Sequence, residues 1–241
     1  MGANVTVGTH FLHNSKKSKH MKRIITAIAA LLIATIVYSQ PQLYLGLRGG
    51  AGAAINYQKL QQVESAEGFK DAVFNDRGYS GHLKAEALFG IKHFRIGYRF
   101  MYLQSFIDAP SQSYAPITDE GRYNFYFNSS RTIIYAHYGV IEIPLINSKH
   151  FALTPAIAAG GFTGYTIDRD TKNRAQLSSL TKNRFSVGAE LNAEIKFGRV
   201  VIIVGPNYYL FNNQDKVTKH WNRYTHVIGA DAGIRVNLLK P

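Results

Sequence analysis

Apolar and polar residues alternate in eight stretches of this chain, and the gaps between the stretches alternate short and long. The clearest stretch is 185–197. One set of positions reads Phe185, Val187, Ala189, Leu191, Ala193, Ile195, Phe197, and the interleaved set reads Ser186, Gly188, Glu190, Asn192, Glu194, Lys196. Successive side chains of a strand point to opposite faces, so this segment has one apolar face and one polar, charged face. The same pattern predicts strands over residues 43–54, 79–91, 94–106, 132–143, 151–167, 185–197, 200–211 and 224–239. The connections 92–93, 144–150 and 198–199 are short. The other four run from about 12 to 25 residues and are rich in Asn, Asp, Ser, Gly and Lys, as loops are.

Strands of about 12 residues exceed the 5 or 6 usual in soluble sheets and suffice to cross a bilayer at a tilt. The predicted fold class is all-β: an eight-stranded antiparallel up-and-down transmembrane β-barrel, with short turns toward the periplasm and long loops outside. Alternation alone does not say which face is outward. The polar face carries Gly46, Gly50, Gly90, Gly97, Gly188, Gly229 and Gly233, which suits a narrow lumen that must fit small residues beside large ones. Aromatic residues recur near the ends of the apolar faces: Tyr79, Phe89, Phe94, Tyr102, Phe106, Phe185, Phe197, Tyr208 and Tyr224. Those are girdle positions at lipid–water boundaries. The apolar face is therefore expected to meet lipid.

Some positions strain this reading. Pro155 and Pro206 fall inside predicted strands, where proline removes a ladder donor. Bulges there, or strands that start late and stop early, are expected. His137 and His226 would face lipid. Residues 132–143 are apolar on both faces, and only placing Glu142 inside fixes their parity.

The N-terminus reads as an address. Lys22 and Arg23 precede an apolar run over 24–38, and Val37 and Ser39 are small residues at the exit. This is the form of a secretory signal peptide, with cleavage expected between Ser39 and Gln40. The apolar run is short for a retained spanning helix, which needs about 20 residues. Residues 1–20 read as a start-site artefact or extension before Met21, residues 21–39 as the signal peptide, and 40–241 as one barrel domain.

Composition narrows the classes further. There is no cysteine, so disulfides, thiolate chemistry and thiol-bound metals are excluded, as is a lipoprotein anchor. The formal charge of +13 includes Lys16, Lys17, Lys19, Lys22 and Arg23, with no acid before residue 40, which leaves +8 on the rest. Those bases are spread through strands and loops rather than gathered on one face, so nucleic acid is not an expected partner. Lipopolysaccharide, which is anionic, is.

The inward positions collect Arg48, Lys84, Glu86, Arg95, Arg99, Glu142, Glu190, Glu194, Lys196, Asp231 and Arg235. Buried charges must be paired, so cross-lumen ion pairs are expected, Arg95, Arg99, Glu190 and Glu194 foremost, in a plugged interior. No cofactor or metal is implied: His82, His93, His150 and His220 lack the i, i+4 spacing of a metal site. His137 with Glu142, or His226 with serines of the segment 176–181, are the nearest approach to a catalytic set, and neither has motif spacing. The chain is read as non-enzymatic. Loops on a rigid scaffold carry binding. The candidates there are the aromatic cluster Tyr123, Phe125, Tyr126 and Phe127, which also reads as strand four extended above the membrane, and the basic Arg169, Lys172, Arg174, Lys216 and Lys219 with Trp221.

The run Leu45-Gly46-Leu47-Arg48-Gly49-Gly50, the element Ile141-Glu142-Ile143-Pro144-Leu145, Ala159-Gly160-Gly161-Phe162 and Val187-Gly188-Ala189-Glu190 together resemble the small outer-membrane barrels of the PorT type, often labelled "porin family" and common in Bacteroidetes. The last strand, with Asp231, Gly233, Val236 and Leu238, is similar to the signal read by the barrel-assembly machinery, but lacks the usual terminal aromatic. The resemblance implies a Gram-negative outer membrane and a barrel that, as in some members, assists secretion. The leading expectation is a structural, adhesion or secretion-assisting barrel acting through its loops, with an envelope protein as partner. A narrow small-solute channel is the second reading and a lipid-modifying enzyme the third.

Overall fold

The computed structural model describes residues 41–65, 68–91, 93–114, 117–118, 121–122, 125–170, 175–212 and 221–239, together with Thr26. Two compact units make up the chain, Met1–Pro41 and Gln42–Pro241. The expected extension, signal peptide and cleavage pair Ser39/Gln40 fall in the first unit, outside the described residues except for Thr26.

The second unit is built from eight long strands: β1 Gln42–Ser65, β2 Gly68–Ile91, β3 Phe94–Tyr114, β4 Phe125–Glu142, β5 Phe151–Asp170, β6 Ala175–Phe197, β7 Val200–Asn212 and β8 Trp221–Asn237. Each pairs antiparallel with its neighbours in sequence, and β1 pairs with β8, so the sheet closes. Closure leaves no edge strand among the eight. The register walked from Tyr44 through Leu88, Gly97, Val140, Ala158, Gly188, Tyr209 and Val227 returns to β1 at Ala54, ten residues further on. At about 3.3 Å per residue and about 4.8 Å between strands, that stagger tilts the strands about 40° and places the backbone about 8 Å from the axis.

The short connections fall where the sequence predicts. Gly198 has φ +59°, a left-handed conformation that two-residue hairpin loops demand and glycine adopts freely. The 144–150 connection is held by Leu145 N–H to Leu153 O at 2.9 Å and Ser148 N–H to Phe151 O at 2.8 Å, with Ile146–Asn147 pairing on β5.

At the other end the strands run much further than the alternation indicates. β1 and β2 continue as a hairpin as far as Ser65 and Gly68, where a 24-residue loop was expected. β3 and β4 extend to Tyr114 and Phe125, and β5 and β6 to Asp170 and Ala175. Backbone pairing persists there without regular apolar–polar contrast, because each arm satisfies the other's N–H and C=O groups. β8 stops earlier than expected, at Asn237, and Leu238 is tied by its N–H to Leu43 O at 2.7 Å.

The prolines cause no bulge at their own positions. Pro155 faces Leu191, and its carbonyl accepts from Ile143 N–H at 3.1 Å, so its missing donor points at the end of β4, where the ladder finishes. Pro206 faces Ala230 on β8; on the β6 side the pairing lapses at Gly205 and Pro206 and resumes in the same register. The observed register shifts lie elsewhere, at 60/63, 108/112 and 162/164.

Burial alternates strictly along the strands and fixes the faces. Leu47, Ile157, Phe185, Ile195 and Ile234 point out and are exposed, while Arg48, Ala158, Ser186, Glu194 and Arg235 point in and are buried. All nine expected girdle aromatics lie on the outward parity. Tyr79 stacks on Phe106 at 5.2 Å and Tyr57 meets Tyr224 at 6.4 Å, both toward the hairpin end. Glu142 is fully buried, which settles the ambiguous β4 with Tyr138 and Ile134 inward and His137 outward.

Candidate functional site: a charge-filled lumen

Tilted strands bring inward positions from six strands together, and the charged ones meet there. Arg48 comes from β1, Lys84 and Glu86 from β2, Arg95 and Arg99 from β3, Glu142 from β4, Glu190 and Glu194 from β6, and Asp231 and Arg235 from β8. Arg48 bonds Glu86 at 3.0 Å, Glu190 at 2.9 Å and Asp231 at 3.4 Å. Arg99 clasps Glu86 through Nε at 2.9 Å and Nη2 at 2.8 Å, and reaches Glu190 at 2.9 Å. Lys84 joins Glu190 at 2.7 Å and Asp231. Nearer the short turns, Arg235 bonds Glu86 at 2.6 Å, Glu142 at 2.8 Å and Glu194 at 3.3 Å. Arg95 pairs with Glu142 at 3.2 Å and grips Glu194 with both guanidinium nitrogens, Nη2 at 3.0 Å.

These ten side chains comprise five cations and five carboxylates, and none exposes more than 3% of itself. Full pairing is what makes such burial tolerable. Neutral groups add further bonds: Asn192 Oδ1 accepts from Arg48 at 2.9 Å, Asn207 donates to Asp231 at 3.3 Å, and the Tyr209 hydroxyl donates to Glu190, while Arg48 Nε and Arg95 Nε are buried without a hydrogen-bond partner. The Arg95 and Arg235 guanidinium carbons stand 4.9 and 5.7 Å from the Tyr44 ring centroid. Arg95, Arg99, Glu190 and Glu194 all join the network, and the structure pairs Arg95 with Glu194 and Arg99 with Glu190. Lys196 departs from expectation. It is half-buried beyond Glu194 and donates to Asn147 Oδ1 and to Ser148 O at 3.0 Å, so it ties down the 144–150 connection instead of joining the lumen network.

Toward the hairpin end the lumen turns apolar, which the sequence reading did not foresee. Tyr138, Tyr209, Phe162 and Phe211 pack ring to ring, with centroids 5.6 Å apart for Tyr138–Tyr209 and 5.3 Å for Phe162–Phe211, among Met101, Leu103, Ile134 and Val227. Tyr138 OH shares a 2.8 Å hydrogen bond with Ser186. Gly188 makes room for Tyr209: a Cβ there would overlap the ring. Aromatic cover over a strand glycine is a known way of pinning register. The doubly apolar β4 was the available signal for this block.

The outward histidines are each matched by a tyrosine on the adjacent strand. Tyr98 OH lies 2.5 Å from His137 Nδ1, and Tyr208 OH lies 2.8 Å from His226 Nδ1. His137 and Glu142 point to opposite faces of β4, so they form no catalytic set. His82 is buried, with Nε2 3.7 Å from Asp231.

Phe125, Tyr126 and Phe127 lie in β4, paired with Tyr114, Ser113 and Gln112, which is the strand-extension alternative; Arg169 lies in β5 and Trp221 opens β8 opposite Leu60. Tyr123, Lys172, Arg174, Lys216 and Lys219 lie outside the described residues. Of the expected assembly residues, Asp231 and Gly233 face in, Val236 faces out, and Leu238 is exposed just past β8.

No protein-family model and no curated protein matches the chain. Among solved structures it is similar to Neisserial surface protein A, at 13% identity over 81% of this chain and 97% of that one, with a TM-score of 0.43. It is similar to the outer membrane protease OmpT of Escherichia coli at 11% identity over 81% and 97%, TM-score 0.44. It is also similar to the outer membrane protein OprG of Pseudomonas aeruginosa at 10% identity over 83% and 98%, TM-score 0.41.

Proposed function

We propose that this chain is an outer-membrane barrel with a closed lumen, and that its work is done by the hairpins above it: anchoring, adhesion or assistance to secretion. The observation that carries the reading is the neutral network of ten buried charges, each side chain 3% exposed or less, packed across the lumen beneath the aromatic block. A conducting path needs hydrated charges, and these are spent on one another. The outward face supports the membrane location. Leu45, Leu47, Ile96, Ile141, Ile157, Leu191, Ile202 and Val204 form an exposed apolar band, with aromatic residues toward both ends. In water such a face would aggregate; in lipid it is the required surface.

In this reading the partners are outer-membrane lipid, lipopolysaccharide, the barrel-assembly machinery during insertion and an envelope protein met by the hairpins. The PorT-type motifs favour a secretion-assisting member of that group. Liposome swelling tests the closed lumen: vesicles carrying folded protein should exclude small sugars as protein-free vesicles do, and swelling would contradict it. Photo-cross-linking from Trp221 and Phe125 in intact cells should trap an envelope protein; capture of lipid alone would argue against a protein-assisting role.

A further inference from the structure

Tyr98 and His137 form a polar dyad inside the apolar outward band. His137 lies midway between Arg131 and Ile143 on the outward parity and is exposed. Tyr98 OH lies 2.5 Å from His137 Nδ1, and the Phe100 ring flanks the imidazole with centroids 5.3 Å apart. In a neutral imidazole one nitrogen donates and the other accepts. If the tyrosine donates to Nδ1, Nε2–H is left as a donor and the phenolic oxygen as an acceptor. If Nδ1–H donates, Nε2 is left as an acceptor and the phenolic O–H as a donor. In either tautomer the dyad keeps one donor and one acceptor, and neither has a further partner among the described residues. Acyl chains supply none, so both groups are costly to leave in lipid. His226 makes the same contact with Tyr208 at 2.8 Å, but it stands two residues from the girdle residue Tyr224, where interfacial water serves it.

The wall beside this dyad is shallow. Gly139 is the ladder partner of both Tyr98 and Ala159, and His137 is opposite Gly161. A Cβ on Gly139 would find only Ala159 O, at 3.8 Å, and one on Gly161 only Arg184 O, at 3.7 Å, so nothing fills the space above them. The apolar side chains of Ile141, Ile157 and Phe185 rise around it. Small residues let another backbone come close, and a polar group among them gives the contact its direction.

We propose that two copies of this chain pair side by side through this face of β3, β4 and β5, with His137 of each bonding Tyr98 of the other. The dyad is self-complementary, which selects the occupant. A two-fold axis along the membrane normal keeps every group at its own depth. The free donor and the free acceptor belong to groups 2.5 Å apart, so each copy brings an acceptor to the depth of the other's donor. The two bonds are reciprocal and leave no polar group of the dyad in lipid. A second copy carries the matching pair by construction. The proposal rests on the membrane location proposed above.

Disulfide trapping tests it, because the chain has no cysteine of its own. Ala159→Cys stands on the proposed face. Ala230→Cys, also exposed and outward, stands on β8, away from that face. In oxidised vesicles carrying the full chain, Ala159→Cys should give covalent dimers at least about ten times faster than Ala230→Cys. Equal rates at the two positions would overturn the interface. Sedimentation equilibrium in density-matched neutral detergent should show a dimer for the wild type. The double variant Tyr98→Phe, His137→Leu keeps an apolar outward face and removes both reciprocal bonds, so its dimer should dissociate about tenfold more readily. A double variant that is folded and dimerises as the wild type does would overturn the role of the dyad. A wild type that inserts into vesicles yet stays monomeric, or whose Ala159→Cys variant is trapped in cells only on a different protein, overturns the pairing alone. A chain that stays soluble and folded without lipid or detergent overturns the membrane reading itself.

Discussion

Glu86 is the carboxylate on which the lumen turns. Its Oε2 accepts from Arg48 at 3.0 Å and from Arg99 at 2.9 and 2.8 Å, and its Oε1 accepts from Arg235 at 3.0 and 2.6 Å. Glu86→Gln keeps the shape and removes the charge. The amide oxygen can replace only one of the two acceptors. With it at Oε2, the amide nitrogen faces both donors of Arg235, and two charge-assisted bonds become donor–donor contacts. The network also carries one uncompensated positive charge. Bonds to charged groups contribute about 1.5–3 kcal/mol each, and breaking a buried ion pair costs about 3–5 kcal/mol, so a loss of about 3–5 kcal/mol is expected. With a urea slope of about 1–3 kcal/mol per molar, the unfolding midpoint of the barrel refolded in vesicles should fall by about 1–5 M. The single tryptophan, Trp221, gives the fluorescence signal. Adding Arg99→Met to Glu86→Gln restores neutrality, and the double variant should lose less than the two single losses combined. A Glu86→Gln loss below about 0.5 kcal/mol, the size of an ordinary surface change, would refute the reasoning: the carboxylate would then be water-screened and the lumen open.

Other consequences follow from the same geometry. Gly188→Ala drives a methyl into the Tyr209 ring and should cost about 1–3 kcal/mol in the same urea assay, whereas Gly164→Ala, whose Cβ would meet Phe162 and Ile134 at ordinary contact distances of 3.5 and 3.6 Å, should stay within about 0.5 kcal/mol. Tyr98→Phe strands His137 Nδ1 on an apolar face and should cost about 1–2 kcal/mol; Tyr98→Phe with His137→Leu should recover most of it, and a double variant no better than the single would show the pair is not coupled. Ile157 is 67% exposed in the middle of the outward band, so Ile157→Arg should destabilise the vesicle-inserted barrel by about 2–4 kcal/mol; a neutral effect would mean that this face meets water.

Strand count, order and face were legible because an apolar outward face and a charge-filled lumen impose opposite chemistry on alternate residues. The girdle aromatics, the inward glycines and the inward charges all follow from parity alone, but which cation meets which carboxylate does not. Where both faces meet the same medium, parity carries no information. The hairpin extensions past Ala54 and Phe106 carry no regular alternation and read as loops. β4, apolar on both sides, hid the inward Tyr138 and Ile134 until Glu142 anchored its register. Lys196 has the inward parity of Glu194 but lies one step closer to the short-turn rim, where Asn147 and Ser148 O claim it. Alternation gives the side of a strand, not the height along it. The Tyr98–His137 and Tyr208–His226 contacts join diagonal neighbours on adjacent strands, so they needed the register and could not be read from either strand alone.

The central claim is that ten mutually paired charges close the lumen. Single-channel recording in planar bilayers tests it most directly. Folded protein, with insertion verified by protease protection, should give no conductance steps. Stable nanosiemens-scale steps from the wild-type barrel would contradict the account.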